Sequence, residues 1–308
     1  MLLARREAGV LLPLVFLFVT VGSINSAFFG VDNLINMLRA ASFTFIAAIG
    51  TTMVLIAAGL DLSVGSLVAL GSYTTALALT SSIPVPLAVL IGMLTGGAVG
   101  MASGGIIVAF RIPPFITTLG MLYMVRGVVL IASKGVPIYP LPDAFNAIGQ
   151  SALQGIPYIV IIAAGLGLAA EFMLRCTIFG RAIYAVGGNE ETARLSGIAV
   201  DKVKISIYAV AGCLATITGL LQASRLGSAQ PSIGNGFELQ AIAAAIIGGT
   251  SLFGGAGTIL GTLLGTIFMT VMTSGMSFLR VSAYWQQLVI GAIIVVSVGL
   301  DQFRRRRL

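Results

Sequence analysis

Apolar runs broken by glycine, proline and single charges follow one another along almost the whole chain, at about 9–29, 41–60, 64–82, 85–110, 114–133, 156–174, 204–224, 239–254, 258–279 and 284–301. Crossing the ~30 Å hydrocarbon core of a bilayer takes about 20 mostly apolar residues per helix, so most of these runs are long enough to span it. The pattern predicts an all-α, polytopic transmembrane helical bundle of about ten spans. The 239–254 run is the shortest and the most glycine-rich. It is expected to be a broken or partly re-entrant element, because irregular backbone at membrane depth must be sheltered by protein. A soluble fold is argued against by charge as well. Only 9% of the 308 residues are charged and 57% are hydrophobic, with a mean hydropathy of +1.06, whereas a soluble domain carries about 25% charge. One integral domain over residues 1–308 is the simplest organisation.

The distribution of the basic residues supplies an orientation. With the N-terminus inside, the same side collects Arg5, Arg6, Arg111, Arg175, Arg181, Arg194, Lys202, Lys204 and Arg304 to Arg307, twelve of the seventeen basic residues. Arg39, Lys134, Arg225 and Arg280 fall outside, and Arg126 lies within a span. This bias fits the positive-inside rule with both termini cytoplasmic. It places the proline-rich stretch from Val136 to Pro157 outside. The net charge of +7 therefore reads as a membrane-topology signal, and no basic face interleaved with aromatics suggests nucleic acid. Arg5-Arg6 followed by Gly9 to Phe29 could be mistaken for a secretory signal, but the run is long and lacks a small-x-small cleavage site, so it reads as a retained first helix. The only cysteines are Cys176 and Cys213, and there is no histidine. A disulfide scaffold, a zinc site and a histidine-based triad are all unsupported, and no metal ligands are assigned.

The longest inside loop, 175–204, carries a short helix written in local terms. Asn189 can cap, Glu190 and Glu191 fall where the helix dipole favours anions, Arg194 lies towards the end and Gly197 can stop the helix. A helix over about 190–196 follows. It serves either as a solvated connector or as a docking helix that inserts into a groove on a partner. A second internal pattern is an echo between halves. Gly59-x-x-Leu62-x-x-Gly65-x-x-x-x-Leu70-Gly71 recurs 190 residues later as Gly249-x-x-Leu252-x-x-Gly255-x-x-x-x-Leu260-Gly261. It reads either as internal duplication, common in transporters, or as chance in a glycine- and leucine-rich chain.

Several blocks are recognisable. Gly59-Leu60-Asp61-Leu62-Ser63-Val64-Gly65-Ser66 resembles the signature of ribose-type permease subunits of ATP-binding-cassette importers. Tyr184-Ala185-Val186-Gly187-Gly188-Asn189-Glu190 with Arg194-Leu195-Ser196-Gly197-Ile198 resembles the same family, as do Ala223-Ser224-Arg225-Leu226 with Ser228-Ala229-Gln230-Pro231. Glu238-Leu239 leading to Ala241-Ile242-Ala243, and Gly248-Gly249-Thr250-Ser251-Leu252-x-Gly254-Gly255, complete the likeness, which spans nearly the whole chain. The resemblance implies a bacterial inner-membrane protein with ten helices per subunit and a second permease subunit, most simply a homodimer, enclosing a central path. It also implies two cytoplasmic ATPase domains that hold ATP and magnesium, and a soluble periplasmic or extracellular binding protein that delivers sugar. A monosaccharide, ribose-like, is the favoured substrate, with nucleoside, inositol or an autoinducer sugar as alternatives. The 175–204 segment becomes the coupling loop, with Gly188, Asn189, Glu190, Glu191, Arg194 and Leu195 facing the ATPase. The chain itself contains no Gly-x-x-x-x-Gly-Lys-Ser/Thr phosphate loop, so hydrolysis is expected from another subunit and no cofactor is assigned to this one.

The candidate pathway residues are Asn36, Phe43, Asp61, Arg126, Gln222 and Glu238, with Trp285 as a further aromatic. Asp61 ends an apolar run, where a charge suggests function, but with Ser63 two residues on it can equally cap the next helix. Arg126 can bond a substrate hydroxyl, reach a neighbouring carbonyl or snorkel to an interface. Glu238 faces an outer vestibule or the binding protein, or packs against Arg225. Glu171 is explained by an interfacial position. A stand-alone ion-coupled transporter is the rival from another class, because intramembrane carboxylates serve there as proton or sodium sites.

Overall fold

The computed structural model describes residues 3–305; Arg306 and Arg307 of the C-terminal arginine run lie outside the described residues. Among these, thirteen α-helices follow in order: α1 (Leu3–Ile24), α2 (Val31–Ile56), α3 (Val64–Thr80), α4 (Val85–Phe110), α5 (Pro114–Ser133), α6 (Asp143–Gln150), α7 (Tyr158–Cys176), α8 (Ile178–Gly188), α9 (Glu190–Leu195), α10 (Val200–Leu226), α11 (Phe237–Ile247), α12 (Ile259–Phe278) and α13 (Ala283–Arg305). A 3-10 turn at Ser26–Phe29 joins α1 to α2, and a two-stranded hairpin, β1 (Ala152–Leu153) and β2 (Ile156–Pro157), precedes α7. Six helices, α2, α4, α5, α7, α10 and α12, are long and apolar enough to cross a membrane.

The ends of these helices follow from local chemistry. Pro84 and Pro113 precede α4 and α5, where a missing amide and a fixed φ are tolerated. Arg111 and Lys134 close the same two helices in left-handed conformations (φ 54° and 52°). Both expected ranges, 85–110 and 114–133, coincide with the observed helices. The start expected at 41 is ten residues late, because α2 begins at Val31. Asn33, Asn36 and Arg39 lower the hydropathy there, yet the helix absorbs them: the Asn33 amide donates to the Phe28 carbonyl at 2.7 Å.

The core is built on α2 and α10. Every residue of α2 from Ala41 to Ile56 is buried, and α10 packs against α2, α3 and α4. The contact with α4 is made by backbone. Gly96, Gly100 and Gly104 recur every four residues along the face of α4 that meets α10, while Gly92, one turn earlier, lies against α3, so α4 and α10 approach until only glycine fits. A Cβ on Gly96 would fall on the Gly212 carbonyl of α10, and one on Gly212 on the Gly96 carbonyl. The opposite faces of the outer helices carry exposed Leu12, Phe16, Leu94, Ile131, Leu168 and Phe172. Large apolar side chains cover the outside of a protein in this number where the solvent is lipid.

The 136–157 stretch is structured rather than merely proline-rich. Helix α6 is fixed to the end of α10, where the Ser224 hydroxyl donates to the Phe145 carbonyl (2.6 Å) and accepts from the Gly149 amide (2.8 Å). The short glycine-rich run expected at 239–254 resolves into α11, only eleven residues, followed by the 248–258 linker.

Candidate functional site

Two linkers and one short helix meet at a single end of the bundle. Linker 57–63 joins α2 to α3, and linker 248–258 joins α11 to α12. They are the two copies of the glycine-leucine echo, and they touch: the Gly255 amide donates to the Ile56 carbonyl at 2.8 Å, and Gly254 lies against Ala58. The echo does not preserve conformation. Gly65 sits in the first turn of α3, whereas its counterpart Gly255 is in the linker with φ +74°. Thr52 and Thr262 share a hydrogen bond of 2.6 Å that ties α2 to α12 just beside this junction.

Helix α8 ends on that junction. A Cβ on Gly187 would meet the Ile56 carbonyl and the Gly255 amide, so glycine is required for the close approach. One residue further, the Asn189 side chain accepts from the Thr192 amide at 2.8 Å and caps α9. Glu190 pairs with Lys204 (2.6 Å) and with Arg194 (3.6 Å), while Arg194 pairs with Asp201 (2.8 Å). Surface pairs of this kind contribute little stability one by one, but together they hold α9 against the first turn of α10. The Asp201 carboxylate also pushes the Arg194 guanidinium pKa up. Gly197, with φ +83°, ends the motif. Of the residues expected here, Glu190 and Arg194 are engaged within the chain. Gly188, Glu191 and Leu195 are left facing outward, Leu195 with 83% of its surface exposed.

The six candidate pathway residues separate into three places. Asp61 is buried at 1% exposure and accepts from the amide (2.8 Å) and the hydroxyl (2.6 Å) of Ser63, a local turn ahead of α3. The N-cap position of α3 is Ser63, without a side-chain cap bond, so Asp61 does not cap that helix as the sequence allowed. The neighbouring Leu60 carbonyl accepts from the Tyr208 and Thr118 hydroxyls, each at 3.2 Å. Arg126 donates to the carbonyls of Pro231 (3.0 Å), Ile233 (2.8 Å) and Gly65 (3.1 Å). Its guanidinium thus gathers the chain before α11 onto α3, the second of the uses the sequence leaves open. Glu238 lies within electrostatic reach of Arg126 and beside Gly65 and Gly234, away from Arg225. Arg225 instead donates to the Asn36 side chain (3.3 Å) and stacks its guanidinium 5.9 Å from the Phe43 ring centre. Gln222 is half-buried one turn before Arg225, and Trp285 is exposed on α13.

The Arg126 clamp carries a prediction. Arg126→Met leaves three carbonyls without their donor and should lower the unfolding free energy by about 2–3 kcal/mol, read as a clear fall in thermal midpoint in detergent. Arg126→Lys should recover part of it, and an unchanged midpoint in Arg126→Met would contradict the clamp.

Glu171, read from the sequence as an ordinary interfacial residue, and Tyr184, noted there only as part of a recognisable block, both make long-range bonds. The Glu171 carboxylate accepts from the Ile259 amide at the start of α12 (3.2 Å), and the Tyr184 hydroxyl donates to the Gly257 carbonyl (2.7 Å). Their partners are 88 and 73 residues away, so no local pattern announces them.

Residues 33–298 match the family described as the branched-chain amino acid transport system permease component. The chain is 40% identical over 299 residues to the ribose import permease of Escherichia coli (strain K12), covering 96% of this chain and 93% of that protein. It is 38% identical to the ribose import permease of Bacillus subtilis (strain 168) over the same shares. To the xylose transport system permease of Escherichia coli (strain K12) it is 32% identical, covering 92% of this chain and 88% of that protein. No solved structure matches the chain. A multi-pass, all-α protein of the inner membrane that serves as a transport component rather than an enzyme, this chain belongs to the permease family of ATP-binding-cassette importers.

Proposed function

We propose that this chain is the membrane subunit of an importer that translocates a monosaccharide, a ribose-like pentose foremost, across the inner membrane. The observation that carries the reading is the capped, outward-facing helix α9, which follows directly on the end of α8 where Gly187 packs on the junction of both linkers, in a chain 40% identical over nearly its full length to a ribose import permease. Two ATPase domains, holding ATP and magnesium, engage α9 through Glu191, Leu195 and the Gly188-Asn189 turn, with Glu190 and Arg194 fixing the helix. A second copy of the chain completes the pathway, ten spans per copy with both termini cytoplasmic, and a soluble binding protein delivers sugar from outside. Transport then runs by alternating access: closure of the ATPase pair moves α8 and α9, and the linkers beneath them pass the movement to the spanning helices. Asn36, Phe43, Gln222 and Glu238 are the side chains proposed to meet the substrate, while Asp61 and Arg126 shape its path through the backbone.

The family description favours a second substrate class, branched-chain amino acids. The two are separated by ATP hydrolysis in proteoliposomes containing this chain, its ATPase and binding proteins loaded in turn with ribose, xylose and leucine. The greatest stimulation is expected with ribose. Stimulation by leucine alone would move the assignment to amino acids.

A further inference from the structure

Ion pairs already tie α9 to α10, but movement of α9 reaches α12 and α2 through whatever fastens α8 to the linkers, and close packing of Gly187 can push but not pull. The fastening is visible in the bonds around linker 248–258. From α7, Glu171 presents one carboxylate oxygen to the Ile259 amide (3.2 Å) and the other to Arg175 (2.5 Å). From α8, Tyr184 donates its hydroxyl to the Gly257 carbonyl (2.7 Å). The α7–α8 turn between them is itself braced: Thr177 donates to the Met173 carbonyl (2.6 Å) and accepts from the Gly180 amide (3.0 Å). The far side of the linker is bonded to α2 through Gly255 and Ile56 (2.8 Å). Two polar bonds from two helices thus grip residues 257 and 259, immediately before and within the first turn of α12.

Packing alone does not require these groups. A phenylalanine fills the volume of Tyr184, and the Ile259 amide at a helix start can be satisfied by water. Their common feature is that both hold the linker to the body that carries α9. We propose that Glu171 and Tyr184 are positioning residues that clasp linker 248–258 to α7 and α8, so that displacement of α9 is delivered to α12 and α2. The proposal rests on the importer reading above. The clasp makes α8, α9 and the start of α12 one moving unit; without it, the partner hydrolyses ATP while the spanning helices follow incompletely.

The test uses the complete importer in proteoliposomes and reads sugar transported per ATP hydrolysed. Tyr184→Phe and Glu171→Ala should each lower that ratio by about threefold to tenfold while the complex assembles and hydrolyses ATP. Glu171→Gln, which keeps an acceptor for the Ile259 amide, should retain most of the ratio. Spin labels at Thr192 on α9 and Leu260 on α12 give an independent reading. Their separation should stay constant on ATP binding in the parent and broaden in the Tyr184→Phe, Glu171→Ala double variant. An unchanged transport ratio in both single variants, or a parental separation that changes with ATP, overturns the clasp while leaving the importer intact. Absence of any ATP-dependent uptake by the parent complex overturns both.

Discussion

Gly212→Leu is expected to leave almost no folded protein in the membrane, whereas Gly165→Leu accumulates at the parental level. The difference lies in what each new side chain meets. At Gly212 a Cβ is already in conflict with the carbonyl of Gly96 and the Cα of Gly100, and these are backbone atoms of a helix that cannot rotate out of the way. Helices α4 and α10 would have to separate along the whole contact, giving up the close dispersion packing that substitutes in lipid for a hydrophobic driving force. Overpacking of a core costs about 1–3 kcal/mol when side chains can adjust, and here they cannot, so the loss should stand at or above the top of that range. At Gly165, on the outer face of α7, a Cβ meets nothing within 4 Å. Membrane yield and monodispersity after detergent extraction compare the two directly. Equal yields would mean that the α4–α10 contact is not the organising contact of the fold.

Transport should fall by about tenfold or more when Glu190, Glu191 and Arg194 are replaced together by alanine, with the protein still abundant in the membrane. All three side chains are exposed, so their removal withdraws little from stability. Asn189 still caps α9 in this variant, and the spanning helices are untouched. What is lost is the tether of α9 to Lys204 and Asp201, together with the free carboxylate at the proposed docking face. Uptake of labelled sugar, normalised to protein in the membrane, measures the effect. Normal uptake would contradict the assignment of α9 to ATPase coupling.

These two expectations draw on features of different legibility. Helix α9 is readable from the sequence, because capping by Asn189, acidic residues in the first turn and termination at Gly197 are all decided within one turn of chain. The limits of α4 and α5 are readable for the same reason, through Pro84, Pro113 and the residues that close the helices. Helix α8 is not foreseen, although Ile178, Phe179, Ile183 and Val186 recur at helical spacing. Its amphipathic pattern lies inside a charged loop, where a search for apolar runs passes over it. The start of α2 is missed because Asn33, Asn36 and Arg39 look too polar for a span, and only the fold reveals the partners of the two asparagines.

The site is less legible than the fold. Asp61 with Ser63 is a contact over two residues and so locally legible, but the sequence offers it as a cap, whereas the N-cap position of α3 is Ser63 and the contact is a turn ahead of the helix. The pairing of Arg225 with Asn36 joins residues 189 apart, and nothing in either neighbourhood selects the other. The sequence offers Arg225 as a partner for Glu238, but the fold takes Arg225 to α2 and leaves Glu238 beside Arg126. The two glycine-leucine copies are visible as an echo. That they meet beneath α8, and that Gly65 and Gly255 adopt different conformations, follows from where α3 and α12 begin and not from the echo itself.

The most direct test of the importer reading is accumulation of labelled ribose in proteoliposomes that contain this chain with its ATPase, with ribose-loaded binding protein outside the compartment-facing surface and no ion gradient imposed. Accumulation that requires both ATP and the binding protein is the predicted result. Accumulation that ignores ATP and follows a proton or sodium gradient would contradict it and assign the chain to ion-coupled transport.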